Sequence, residues 1–338
     1  MKTINRTKYF IYYLKELDYP KFSNFLTYVV ENTGKSKASI VADMIKATYK
    51  HNVGIMDYFQ FRFFEKNEVE RAKWVGTGYK YEFDLKTNPK STRSILENKL
   101  EFYEAYKDFI FHPFCKLQDI INKTSEAKAV LENKTGKMVL KDSLGQCGFD
   151  VEIVKTEKYK DLDELATYMK SKGYDMAEAF IQQHDEINKI SSTGLNTVRM
   201  FTIINNEGGV DFVGARLRIS VNSHVDNLAS GNIACPIDIK TGKINGPGIY
   251  SDITKKDVTH HPITNFPLLD FQIPMWDKVV ELTEKIALAH PENRGVGWDI
   301  AITNDGVDFI EGNHNWCKLL WQLPVQRGLK YLIEPYNV

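Results

Sequence analysis

The 338-residue sequence has only four cysteines, no long hydrophobic run and no excess of either charge. Cys115, Cys147, Cys235 and Cys317 are scattered, without a CxxC pair or metal-type spacing. That argues against a disulfide framework or a zinc cluster and for free thiols in a reducing compartment. No stretch approaches the roughly 18 uninterrupted apolar residues of a transmembrane helix. The opening MKTINRTKYFIYYLKELDYP is cut by Lys15 and Glu16 and lacks a small-residue cleavage site, so it reads poorly as a signal peptide. A cytoplasmic location is the expectation. Lys plus Arg equals Asp plus Glu at 44 each, which excludes a general nucleic-acid binder, because phosphate-backbone affinity needs a net basic surface. Any anionic ligand must then meet a local cluster of cations. There is no GxxxxGK[ST] loop, internal repeat or low-complexity tract.

What is present suffices for two or three compact domains, with 43% hydrophobic residues. Residues 1–95 read mainly as helix. Tyr9, Tyr12, Tyr13 and Leu17 recur at helical intervals, as do Phe22, Phe25, Leu26 and Val29. Gly34 is a helix stop, and Ser39 to Tyr49 reads as a further helix. The aromatic side chains here read as packed core rather than as a partner or membrane surface. Gly76 to Arg93 is polar and turn-rich and reads as a linker. From Ser94, SILENKLEFYEAYKDF predicts one amphipathic helix. Strands follow at MVLK (138–141), FDVEIVK (149–155), AFIQQ (179–183), TVRMFTII (197–204) and VDFVGARLRISV (210–221), then GWDIAIT and VDFIEGN. Helices are expected at 161–172 and 276–289. Hairpins dominate over βαβ units, so the class is α+β.

The most informative stretch is GWDIAITNDGVDFIEGNHN (297–315). A three-residue loop Asn304-Asp305-Gly306, with Gly306 left-handed, sets Asp299 opposite Glu311, and Asn313 shares their face. Trp298, Ile300 and Ile302 then face a core. Two carboxylates and an amide oxygen make a hard-oxygen set suited to Mg²⁺. A two-residue loop would instead send the acids to opposite faces, and a solvated acidic hairpin is the plain alternative.

Upstream, Lys141 ends an apolar strand before the Gly145/Gly148 loop. Glycines let backbone N–H groups approach phosphate, and a lysine neutralises it. IQQHDE (181–186) can serve as an adenine hinge, with backbone groups of Gln182 and Gln183 reading the base edge and Asp185 or Glu186 near the ribose; an ordinary polar strand end is the plain alternative. Arg216 and Arg218 share one strand face, joined by Arg199 from a neighbouring strand. Such a cluster calls for an anion, for structural pairing with Asp211, or for a solvent-facing surface. The 225–238 segment carries Asn227, Ser230, Gly231 and Asn232, small polar groups fit for a ligand loop, and His260-His261 reads as structural.

In order, these blocks resemble the ATP-grasp superfamily, in particular the sugar-transfer-associated ATP-grasp family related to glutamate ligases. The resemblance runs from about Leu96 to Trp321 and rests on NKLEFY, MVLKDSLGQCG, LNTVRMFT, VGARLR, DNLASGN, HHPITNFPLLDFQIPMWD and GWDIAITNDGVDFIEGN. It implies two α+β subdomains, 96–185 and 186–338, clasping ATP behind the helical 1–95 region. Lys99, Lys141, Ser143, Gly145, Gly148, Gln182, Gln183 and Asp185 would bind nucleotide. Asp299, Glu311 and Asn313 would bind Mg²⁺, and Arg199, Arg216 and Asn196 would serve catalysis. Many members carry glutamate where Gln182 stands. The implied reaction is carboxylate–amine ligation through an acyl phosphate, on a small-molecule or glycan-linked carboxylate and an amine. It would decorate a surface polysaccharide or build a peptide-like metabolite, and a homodimer is compatible with it. A kinase acting on a sugar-like hydroxyl and a nucleotide-binding scaffold in glycan assembly are the alternatives.

Overall fold

The structure, a computed structural model, describes residues 2–143 and 151–336. Helices Lys2–Lys15, Tyr19–Thr33 and Lys37–His51 open the chain. Asp18 and Ser36 cap the second and third, and left-handed Gly34 (φ 67°) ends the second. Their aromatic residues do form a core. Phe25, Phe59, Phe61, Phe63 and Trp74 pack with Ile249, Ile253 and Leu323 from the far end of the chain. Among the described residues no helix is long and apolar enough to cross a membrane.

The expected linker at 76–93 is instead largely the helix Thr77–Thr87. Gly76 and Gly78 are there for close approach rather than for a turn. A Cβ on Gly78 would lie 2.1 Å from Asn52 Oδ1. The single helix expected at 94–109 is broken into a 3₁₀ turn Arg93–Leu96, a helix Lys99–Ala105 and a second turn Lys107–Phe109. Asn98 breaks it: its backbone is extended, and its side chain accepts from Leu100 N (2.9 Å) and Glu101 N (3.2 Å).

Among the described residues nine strands build two antiparallel sheets. The first contains β1 (Phe114–Lys116), β2 (Lys137–Lys141), β3 (Val151–Lys155) and β4 (Met176–Ala179), in the order β1-β4-β2-β3. Met138, Leu140 and Val154 face a core closed by the helix Leu162–Lys172. The strand expected at 179–183 lies earlier, at β4. Glu178, a carboxylate inside an apolar run, is accommodated there because it has buried partners, described below. The second sheet contains β5 (Val198–Ile204), β6 (Val210–Ile219), β7 (Ile233–Pro236), β8 (Gly295–Ile302) and β9 (Val307–Asn313), in the order β7-β6-β5-β8-β9. β7 lies where only a loop was expected, and the short β1 was not expected. One face of this sheet (Val198, Met200, Ala215, Leu217, Trp298, Ile300) packs on the helix Trp276–Ala289.

The β8–β9 turn corrects the expected hairpin. Thr303 N–H donates to Gly306 O (2.8 Å), so the loop has two residues, and Gly306 is not left-handed. The Thr303 hydroxyl accepts from Asp305 N (3.2 Å) and Gly306 N (3.1 Å), tying the turn without a positive φ. Ile302 then pairs with Val307 and Ile300 with Phe309, a register that would separate the two acids. A β-bulge at Ile310 adds the missing residue, and Asp299 pairs with Glu311 after all.

Candidate functional site

Asp299 is the centre of the second sheet's polar face. It lies across from Arg199 on β5, which lies across from Arg216 on β6. Arg199 grips Asp299 with two donors, Nε to Oδ1 and Nη2 to Oδ2 (2.7 Å). Arg218 Nη1 adds a third contact at 2.5 Å. Burial alone would raise the Asp299 pKa, but the two guanidinium groups outweigh it and hold the carboxyl well below the usual range. Arg218 also meets Asp226 Oδ1 and Asn227 Oδ1, each at 2.5 Å. Asp226 is itself fixed by Thr197 N (2.9 Å) and Oγ1 (2.6 Å). Burial opposes the Arg218 charge, yet Asp226 and Asp299 hold its proton more tightly than usual.

Glu311 stands beside Asp299, half-exposed, and its carboxylate accepts from Asn313 Nδ2 (3.0 Å). Lost hydration and the Asp299 charge push its pKa up. Among the described residues no group of three or more His, Cys, Asp or Glu side chains is arranged to hold a metal ion. A divalent ion would therefore rest on these two carboxylates and the Asn313 amide. That set fits Mg²⁺, which keeps water and phosphate oxygens in its shell and would relieve the crowding of the two acids.

Arg216 is buried (3% exposed), and among the described residues it makes no ion pair. It donates to Ala215 O (2.6 Å) and Trp321 O, while its Nε has no partner. Burial, with Arg327 nearby, depresses its pKa to about 9. The structural pairing considered with Asp211 is not made, because Asp211 bonds Asn205 (3.2 Å) and Tyr336 instead.

Across the cleft, β2 and β3 register Lys141 with Val151 and Val139 with Ile153, and β4 adds Glu178 opposite Val139. These five side chains share one sheet face. Val151 and Ile153 are 42% and 49% exposed, forming an apolar shelf beside Lys141. Lys141 pairs with buried Glu178, which also accepts from Tyr103. Tyr103 lies 3.4 Å from His112 Nε2, and His112 Nδ1 lies 2.9 Å from Asp308 Oδ2 on β9. A buried polar chain thus ties the first sheet to the second. Lys99 donates to Asp142 O (3.2 Å). Its pKa is lowered by burial and by Lys141, with Glu311 and Glu178 opposing. Lys99 therefore sits within the fields of both sheets' functional groups.

The remaining candidates fall elsewhere. Ser143 donates from N (2.7 Å) and Oγ (2.6 Å) to Asp175, and Gly145 and Gly148 lie outside the described residues. Gln182 and Asp185 are exposed along the segment that leads to the hairpin tip, where Asp185 N–H donates to Asn304 Oδ1 (3.1 Å). The side chains of Gln183 and Asn196 bond each other. Gln183 Oε1 accepts from Asn196 Nδ2 (2.8 Å), and its Nε2 donates to Ser191 O (2.7 Å). Asn196 Oδ1 accepts from Ser220 N (2.8 Å). Both side-chain amides are consumed in one buried knot, which leaves the backbone of Gln183 as the part that could face a base. His261 is structural, as expected, with Nε2 3.0 Å from Ser220 O. The sequence reading missed Tyr103, His112, Glu178, Asp226 and Asp308. A lone acid inside the apolar MAEAF was the one signal available for Glu178.

The model of the sugar-transfer associated ATP-grasp family matches residues 79–336. This chain belongs to that family. Its two antiparallel sheets with their helices are the α+β ATP-grasp fold. No curated protein matches the chain. Among solved structures, biotin carboxylase from Campylobacter jejuni is similar at 14% identity and TM-score 0.43, covering 71% of this chain and 46% of that one. N5-carboxyaminoimidazole synthetase from Staphylococcus aureus, complexed with ADP, gives 12% and 0.40 over 70% and 52%. D-alanyl-alanine synthetase A from Vibrio cholerae gives 10% and 0.41 over 72% and 65%. The chain spans about half the length of the first solved structures it matches. Similarities this distant say nothing about the chemistry of this ATP-grasp chain.

Proposed function

We infer that this chain is an ATP-dependent carboxylate–amine ligase working through an acyl phosphate. The observation that carries the reading is the pairing of Asp299 with Glu311 on a face held by Arg199 and Arg218. ATP supplies the phosphoryl group that activates a carboxylate, and Mg²⁺ offsets triphosphate charge. Glu311 and Asn313, with Asp299 behind them, would hold the ion. The Val139, Val151 and Ile153 shelf offers a planar apolar base a surface beside Lys141. Arg216, without a carboxylate of its own, can meet the charge that develops as phosphate transfers. The arginine grip fixes Asp299 before any ligand arrives, so little reorganisation accompanies the reaction. A glycan-linked or small carboxylate joined to an amine fits this chemistry, at a cytoplasmic location.

Trapping with hydroxylamine tests the reaction class, because an acyl phosphate yields a hydroxamate and a phosphorylated hydroxyl does not. Glu311→Ala is expected to lower ADP release by about 10²–10³-fold while the protein stays folded. ADP release at the wild-type rate removes Glu311 from the mechanism. Lys141→Ala is expected to weaken nucleotide binding by roughly tenfold or more, from the loss of one charge-assisted contact. Unchanged affinity in a titration contradicts its role.

A further inference from the structure

The N-terminal helices lie largely outside the family match, which begins at residue 79, yet they help wall a cavity near the charged strip. This cavity, about 180 Å³, is lined by Lys21, Asn24, Ala229, Gly231, Tyr250 and Lys255, among others. Its position is fixed by the β6–β7 loop. Asn227, at the start of the lining segment, accepts from Arg218 (2.5 Å), the same guanidinium that reaches Asp299. Leu228 O accepts from Ser251 Oγ (3.2 Å), and Ser251 O accepts from Gln60 Nε2 (3.1 Å). N-terminal region, loop and arginine therefore form one connected wall.

The two lysines have no carboxylate partner among the described residues. Each instead lies over an aromatic ring: Lys21 over Phe25 at 5.6 Å and Lys255 over Tyr250 at 4.6 Å. Asp252, the one acid lining the cavity, already accepts from Thr254 N (3.0 Å) and Oγ1 (2.8 Å). Gly231 is left-handed (φ 83°), and a Cβ there would meet only Lys255 Nζ at 3.9 Å, so the loop turns without filling the space. Two aromatic-braced lysines line the cavity against one carboxylate, which leaves a local surplus of positive charge. In a chain with no net charge that surplus is a local feature rather than an overall bias.

We propose that this cavity receives an anionic oxygen group, a carboxylate or a phosphate, carried by the substrate that reacts at the Asp299–Glu311 site. The N-terminal region thus supplies substrate selection to a nucleotide cleft built by the family fold. The assignment as a substrate subsite rests on the nucleotide reading above; the anion preference stands on the cavity alone.

The test measures acetylation rates of Lys21 and Lys255 in the full chain by mass spectrometry, with exposed Lys134 as internal control. The probes are inorganic phosphate and acetate, at constant ionic strength. A probe at about twice its dissociation constant slows both lysines by about threefold relative to Lys134, as simple occupancy requires. Protection by phosphate alone assigns a phosphate-bearing substrate, and protection by acetate assigns a carboxylate. No protection by either probe overturns the proposal. Lys21→Met/Lys255→Met provides the second arm, because Met keeps the stems and removes the charges. It is expected to bind Mg-ATP as the wild type does, and weakened Mg-ATP binding would overturn the separation of the two subsites. A wild type that protects both lysines but binds no Mg-ATP would overturn the nucleotide reading and leave the anion site standing.

Discussion

Two buried carboxylates in this molecule suffer the same loss of hydration and respond in opposite directions. Asp299 is 2% exposed and its pKa is driven down; Asp84 is 7% exposed and its pKa rises to about 6. The difference lies in their partners. Asp299 meets two guanidinium groups through three contacts, and a guanidinium cannot shed its proton. Asp84 pairs with Lys80, one point charge whose own pKa burial lowers to about 8 despite Asp84, and Arg93 adds only a weaker pull. Burial sets the same cost for both, and the number and kind of cations decides the outcome. The site end of the sheet is therefore charged and fixed before any ligand arrives. The Lys80–Asp84 pair is a support, with Lys80 Nζ 3.8 Å over the ring of Trp316, whose Cβ in turn crowds Gly297 beside Arg199.

Breaking the two systems should separate them. Asp299→Ala leaves two buried arginines without their shared acceptor, and a loss toward the upper end of about 3–5 kcal/mol is expected in denaturant unfolding. A loss below about 1 kcal/mol would mean the arginines find other partners and the comparison fails. Asp84→Ala is expected to cost toward the lower end of about 3–5 kcal/mol, because Lys80 can fold neutral. The double variant Lys80→Met/Asp84→Leu removes both charges together, and its stability near neutral pH should match or exceed the wild type. A double variant as unstable as the single one would make the pair a net stabiliser and overturn its reading as a support that costs free energy.

How much of this was legible depended on whether local pattern or distant partners decided each element. The β8–β9 strands, the helix Trp276–Ala289 and the left-handed stop at Gly34 follow from periodicity and turn chemistry alone. Asp299 was placed opposite Glu311 by a loop that does not form, and the pairing survives because Ile310 bulges, which alternation cannot reveal. Gly76 and Gly78 read as linker because their reason, contact with Val53 and Asn52, lies more than 20 residues away. Glu178 interrupts an apolar strand and shifts its apparent position, since Tyr103 and Lys141 satisfy it from other elements. Asn196 is a polar residue in a plausible place whose side-chain amide is spent on Gln183. In each miss the deciding contact is non-local, and short-range pattern carries no record of it.

The pH dependence of stability gives the finest discrimination between the two systems. Asp84 has a folded pKa of about 6, above its ordinary 3.8, so its stabilisation is present below pH 3.8 and is lost as pH rises through 6. Lys80 has a folded pKa of about 8, below its ordinary 10.5, so its stabilisation is present above pH 10.5 and is lost as pH falls through 8. The two signs together predict a trough between about pH 6 and 8, where both groups are charged and buried. Subtracting the curve of Lys80→Met/Asp84→Leu isolates the pair, because every other titrating group is common to both proteins. The difference should climb on either side of the trough by up to about 1.4 kcal/mol per pH unit for each proton involved. Unfolding midpoints at about pH 5, 7 and 9 are enough to see it. A flat difference would mean that Lys80 holds Asp84 as firmly as the arginines hold Asp299, and that partner number is not what divides them.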